Sequence, residues 1–248
     1  MKKIKQVYGE RRVLIYELLE KDLVTTQIEQ AEFYPKVGTY HVSIISSTGI
    51  DSLNRILYER KFIRNAIKQN DYKSLVEFYT EPQRLEMMKY AIRGTNIHNF
   101  IEKALQSKTD SLLMEQRKSV RIQSKFVKGS QFIITGKYDI YDKTEKCIYE
   151  LKSITGGGFR FELEKGARPH HVIQANANAF INTIPKFKVV YINCETLETI
   201  VFPGETKSEL FTEMVRAADM IFHAEVNNRD EIDTSLLRIP YEKPEIIS

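Results

Sequence analysis

Between Gln131 and Thr155 the chain reads QFIITGKYDIYDKTEKCIYELKSIT, and no other stretch restricts the possible folds as strongly. Two runs rich in β-branched and aromatic residues, 131–142 and 147–155, flank the turn-forming KTEK, which predicts an antiparallel hairpin. Strand side chains alternate between faces, so Ile148, Glu150 and Lys152 share one face while Tyr149 and Leu151 take the other. Pairing through the turn brings Asp139 toward Glu150. Burying an unpaired carboxylate costs on the order of several kcal/mol, so two carboxylates and an ammonium in one place need compensation. A divalent cation is one compensating partner; a cross-strand salt-bridge network is the other.

The flanking segments extend the pattern. GTNIHNFIEKALQS spaces Ile97, Phe100, Ile101, Ala104 and Leu105 along one helix face, with Thr95 or Asn96 as its cap. Residues 118–127 alternate as a further strand, KGS (128–130) is a turn, and GGGFRFELEKGAR reads as a glycine-rich loop. Pro169 opens a helix through HHVIQANANAFINT, KFKVVYIN (186–193) is a strand, and LETIVFPG pairs with it as a hairpin. A helix over 205–226 closes the core, and the residues after Asn227 read as a loose tail. Upstream, 50–92 carries helical patterns, RRVLIYELLEKDLV reads as a short helix, and TYHVSIIS as a strand. Three divisions are expected: a mainly helical 1–92, a core over 93–227, and a tail over 228–248. The fold class is α/β, with a mixed central sheet flanked by helices.

Bulk composition narrows the function. With 37 basic and 33 acidic residues the net charge is +4, which permits a nucleic-acid partner without arguing for one. Cys147 and Cys194 stand far apart with no CxxC pair, so a zinc knuckle or an all-cysteine iron–sulfur cluster lacks its ligands. Two lone thiols fit a reducing compartment, the cytoplasm of the source cell or of a host cell. No membrane span and no secretory signal is expected.

The ordered set G-x-x-D (Gly136 to Asp139), E-x-K (Glu150 to Lys152), a preceding GTNIHNF helix and a following HHVIQANANAF helix resembles the PD-(D/E)xK nuclease superfamily, whose restriction-endonuclease-like core runs αβββαβ. The likeness lies with its RecB-like and CRISPR-associated exonuclease branch. SLNRILYER aligns faintly with the segment that begins that branch's iron–sulfur set, but Leu53 or Asn54 stands in place of the cysteine. No cluster is therefore expected. The resemblance implies that His98, Asp139, Glu150 and the backbone carbonyl of Leu151 hold a magnesium or manganese ion. It implies that Lys152 assists the attacking water and that Gln174 orients Lys152 or the nucleic-acid backbone. The tyrosine position of the family's Q-x-x-x-Y helix holds Asn178.

Phe159, Arg160, Lys165 and Arg168 combine an aromatic ring with cations, a composition suited to contacting DNA. The function implied is a metal-dependent deoxyribonuclease, an exonuclease on single-stranded or duplex ends, with 50–92 walling the cleft. Rival readings are a non-catalytic nucleic-acid-binding or interaction subunit, a structure-specific endonuclease, or a restriction-type enzyme. A homo-oligomer or CRISPR, viral or recombination partner proteins stay open. For single residues the plainer alternatives also stand: His98 could pair with Glu102 one turn on, and Gln174 could merely solvate its helix.

Overall fold

The computed structural model describes residues 36–46, 49–106 and 109–247. The expected helix RRVLIYELLEKDLV lies outside them. By contacts the described chain forms two units, one from Arg60–Ile92 together with Lys36, the other from Val37–Glu59 and Arg93 onward.

The second unit is built on a seven-stranded mixed sheet. Its strands are β1 (Thr39–His41), β2 (Leu112–Gln123), β3 (Gln131–Asp142), β4 (Cys147–Ile154), β5 (Lys186–Asn193), β6 (Thr199–Glu205) and β7 (Ile246–Ile247). The order across the sheet is β6-β5-β4-β3-β2-β7, with β1 added alongside β3. The β4–β5 and β1–β3 pairs are parallel, and the other pairs are antiparallel. Parallel pairing of β4 with β5 requires a crossover rather than a hairpin. Two helices supply it, α5 (Gly156–Lys165) and α6 (Pro169–Ile181).

The remaining helices are α1 (Val42–Ile45), α2 (Ile50–Lys68), α3 (Tyr72–Thr80), α4 (Pro82–Gln106) and α7 (Ser208–Val226). Helices cover both faces of the sheet. Ile148, Val189 and Tyr191 pack with Ala175 and Ala179 of α6 on one face. Leu151, Val190 and Ile192 pack with Ile97, Ile101 and Leu105 of α4 on the other. The largest apolar cluster joins β1, β3 and α2 to α7, whose Phe211, Met214, Val215, Ala218 and Ile221 are buried.

In the first unit, the buried Leu75 and Phe78 anchor α3, and the Phe62 ring stacks on Phe78 at 4.7 Å. The Asp71 carboxylate caps α3 by accepting the Ser74 N–H at 3.1 Å.

Several expectations are corrected. GGGFRFELEK is a helix, not a loop: Phe159 and Glu162, three residues apart, are buried on one face, and tertiary burial outweighs the low helix propensity of the glycines. TYHVSIIS is a strand only over its first three residues, after which VSII coils into α1 with Val42 and Ile45 in the core. No cap stands at Thr95 or Asn96, because α4 runs unbroken from Pro82. The strand expected at 118–127 is displaced to 112–123, since the Lys125 N–H is drawn away to Asp219.

The tail after Asn227 is packed rather than loose. Ile232 and Leu236 are buried, and the Ile232 N–H donates to Asn54 Oδ1 at 2.8 Å. Ile246–Ile247 add to the β2 edge. The buried Asp219 carboxylate accepts the Lys125 N–H at 2.8 Å and the Tyr241 hydroxyl at 2.9 Å, and the Ser124 hydroxyl as well. Among the described residues, no helix is long and apolar enough to cross a membrane.

Candidate active site

The site forms where the β3–β4 ladder stops. Ile140 pairs with Tyr149, but the next rung, Asp139 with Glu150, is not made. The Asp139 carboxylate instead accepts the Leu151 N–H at 2.6 Å. On its other side Asp139 has also lost its rung: β2 pairs Met114 with Ile140 and Gln116 with Tyr138, while Glu115 between them sits at φ 38°. The pleat changes phase here. Tyr138 lies in the α6-side cluster and Ile140 in the α4-side cluster, although residues two apart in a regular strand share a face. Hairpin periodicity alone carries no sign of this irregularity.

Glu150 is 2% exposed and enclosed by donors. Its Oε1 accepts Lys152 Nζ at 2.8 Å and Gln174 Nε2 at 2.6 Å, and its Oε2 accepts Asn178 Nδ2 at 2.9 Å. Lys152 Nζ also donates to Gln174 Oε1 at 3.1 Å. Gln174 and Asn178 stand one turn apart on α6, and the small Ala175, Ala177 and Ala179 between and beside them are fully buried, which lets the helix approach the sheet. Sequence reasoning named Asn178 only as a departure at the tyrosine position and gave it no contact with Glu150, which the structure places 2.9 Å away. The available signal was a polar residue one turn after Gln174 in an alanine-rich helix.

His98 and Glu102 project from α4, in the opposite layer. Among the described residues, both His98 Nε2 and Glu102 Oε1 are buried without a hydrogen-bond partner, and no hydrogen bond or ion pair joins the two residues. The i,i+4 pairing considered for them is therefore not made.

Charges in the site are displaced by burial. Burial pushes the Asp139 carboxyl up to about 6, against the pull of Lys152 and the Leu151 N–H. Glu150 is raised as well, by burial first, with Lys152 opposing. Burial and then Lys152 hold His98 down at about 4, so its imidazole is neutral at pH 7.

The donor chemistry suits a hard divalent cation: carboxylates and a neutral imidazole whose Nε2 has no partner. The arrangement is not a closed ligand cage. Among the described residues, no three histidine, cysteine or acidic side chains gather around one point. The physical reason is visible in the layers: three donors draw Glu150 to the α6 side, while His98 hangs from α4.

The residues expected to meet DNA divide differently. Arg160 and Lys165 are exposed on α5. Phe159 is buried, and the exposed ring on that helix is Phe161, at 54%. Arg168 is tied down: its Nε donates to the fully buried Glu162 at 2.5 Å.

No protein family and no curated protein matches the sequence. Among solved structures, SSO0001 shares the fold, with a TM-score of 0.55 and 19% identity over 82% of this chain and 85% of that one. An alkaline exonuclease from Laribacter hongkongensis overlays with a TM-score of 0.44 at 14% identity, covering 77% of this chain and 91% of that one. A phage-related exonuclease from Haemophilus somnus 129PT overlays at 0.39 with 15% identity, covering 56% and 73% respectively.

Proposed function

We propose that this protein is a divalent-cation-dependent deoxyribonuclease of the PD-(D/E)xK type, acting as an exonuclease on DNA ends. One observation carries the proposal: Lys152 Nζ bonds both Glu150 Oε1 and Gln174 Oε1 beside an Asp139 carboxylate held on the Leu151 N–H, at the point where two strands part. A salt bridge that served stability alone would have no need of the His98 imidazole within its electrostatic reach, whose Nε2 meets no partner among the described residues.

Asp139, Glu150 and His98 would hold the cation, with the Leu151 carbonyl as a further oxygen donor. When bound, a magnesium or manganese ion supplies Lewis acidity toward a phosphoryl oxygen and lowers the pKa of water. The chain's own groups do the rest. Lys152 positions the attacking water and offsets charge developing on the phosphate. Gln174 fixes the Lys152 ammonium by accepting from it and fixes Glu150 by donating to it. Asn178 holds the second oxygen of Glu150. Arg160 and Lys165, exposed on α5 directly after β4, contact backbone phosphates.

A specific observation favours a second reading. Glu150 is already paired with Lys152, and no three histidine, cysteine or acidic side chains gather among the described residues, as in a nuclease-like scaffold that only grips nucleic acid. One experiment separates the two. Labelled single- and double-stranded DNA is incubated with magnesium or manganese, beside Glu150→Ala and a chelator control. Cleavage by the wild type alone supports the nuclease, and resistance of circular single strands supports exonuclease action. Tight DNA retention without cleavage of any substrate supports the binding protein.

A further inference from the structure

One turn before Gln174, on the same α6 face, stands His171, and its hydrogen bonding fixes its chemistry. The Tyr191 hydroxyl oxygen accepts the Arg168 backbone N–H at 2.9 Å and lies 2.8 Å from His171 Nδ1. Tyr191 is fully buried, so its hydroxyl proton needs an acceptor. Among the described residues, the acceptor its hydroxyl meets is His171 Nδ1. Were Nδ1 protonated, the phenol would face two donors and its own proton would be left without a partner. The imidazole is therefore an Nδ1 acceptor that carries its proton on Nε2.

Burial, followed by Lys152, His170 and Arg168, pushes His171 down to about 3, so the ring stays neutral across the physiological range. Its Nε2 has no partner among the described residues, and unlike His98 Nε2 it is not enclosed. His171, Gln174 and Asn178 are spaced i, i+3, i+7, which lines them along one stripe of α6. Gln174 and Asn178 reach Glu150, which places His171 at the outer end of the same stripe.

We propose that His171 donates a neutral hydrogen bond from Nε2–H to a non-bridging phosphate oxygen of the nucleic acid bound at this site, with Tyr191 fixing the tautomer that makes the donation possible. The proposal rests on the reading of the site as one that takes DNA, and it deepens that reading by assigning a phosphate contact to a residue with no place in the nuclease motif. A neutral donor at this position adds orientation without adding to the positive charge around Lys152. His171 is thus a substrate-positioning residue, and Tyr191 acts through it.

The test is a binding measurement. Fluorescence anisotropy with a single-stranded oligonucleotide in calcium or chelator compares the wild type with His171→Ala, His171→Gln and Tyr191→Phe, each checked for folding by thermal melting. His171→Ala is expected to weaken binding about three- to tenfold, the worth of one neutral hydrogen bond. His171→Gln, which retains a side-chain N–H donor, recovers most of the affinity. A methylphosphonate placed at successive linkages should reveal one position that weakens the wild type but not His171→Ala. Nitrogen-15 spectra should show His171 protonated on Nε2 in the wild type and a mixture of tautomers in Tyr191→Phe.

Unchanged binding by a folded His171→Ala overturns the proposal, as does a protonated Nδ1 in the wild type. A wild type that binds no oligonucleotide overturns both this proposal and the functional reading. A wild type that binds through His171 yet cleaves nothing with magnesium or manganese sustains the contact and overturns only the nuclease.

Discussion

Asn178 holds Glu150. Its Nδ2 lies 2.9 Å from Glu150 Oε2 and 2.9 Å from the carbonyl oxygen of Lys137, in a stretch of β3 between the rungs made to β1 and those made to β4. One amide therefore satisfies a buried carboxylate and a strand carbonyl at the same point. The fit is close: a Cβ on Gly136 would come within 2.6 Å of Asn178 Oδ1.

Asn178→Ala should destabilise the protein by about 1–3 kcal/mol, because it leaves a buried acceptor on each side. Gly136→Ala should destabilise the wild type, and less so when combined with Asn178→Ala, since the second change removes the atom the new methyl would meet. Denaturant melts of the four proteins measure the coupling, and additive effects would contradict the contact. Asn178→Tyr should cost more than Asn178→Ala, because the ring needs the space Gly136 leaves to a smaller side chain.

The raised carboxyl of Asp139 makes a prediction about pH. Its folded pKa of about 6 stands above the ordinary aspartate value near 3.8, so the native state holds the proton longer than the unfolded chain. Ionisation therefore works against folding, and stability from this group is lost as pH rises between those two values. In cation-free buffer Asp139→Asn should melt at the same temperature as the wild type near pH 3.5 and above it at pH 7, with the gap opening between pH 4 and 6. Manganese should raise the melting temperature of the wild type at pH 7 and not that of the variant. A gap independent of pH would show that the carboxylate is not buried at this cost.

The proposed function gives Lys152 a part in cleavage, and its ion pair with Glu150 gives it an electrostatic one; the two can be separated. Lys152→Met should lower cleavage on the order of 10²–10⁴-fold, the range for a positioned proton-transfer or charge-stabilising group. It should also push the already raised carboxyl of Glu150 further up, because Lys152 is the main influence opposing burial there. The pH at which manganese binds, followed by calorimetry, should shift upward. Unaltered cleavage would remove Lys152 from the mechanism.

Asp219 on α7 fastens Tyr241 of the C-terminal segment and, on the same carboxylate, Ser124 and Lys125 just after β2. Tyr241→Phe should cost about 1–2 kcal/mol, and Asp219→Ala more, since it strands several buried donors. Limited proteolysis should then cut after residue 227 faster than in the wild type, with DNA binding retained.

Much of this architecture was readable from the chain. The strands at 131–142, 147–155 and 186–193 and the helix opened by Pro169 stand within a residue or two of where periodicity and turn chemistry put them. Each of these signals acts over a few neighbouring residues. The misses share the opposite character. α5 looked like a loop because three glycines lead it, yet burial of Phe159 and Glu162 against distant strands makes it a helix. VSII has strand-like residues but coils to place Val42 and Ile45 in the core. Asn178 read as a defect in a motif because the carboxylate it holds is 28 residues away.

Alternation of side chains along a strand is a local consequence of backbone geometry, and it was enough to put Glu150 and Lys152 on one face and Leu151 on the other. Where the β3–β4 ladder breaks, which donors reach Glu150, and whether His98 and the carboxylates converge depend on how segments far apart in the chain pack and lose water together. Those distances follow from the balance of burial against hydrogen bonding across two helix layers, which no single stretch of residues contains.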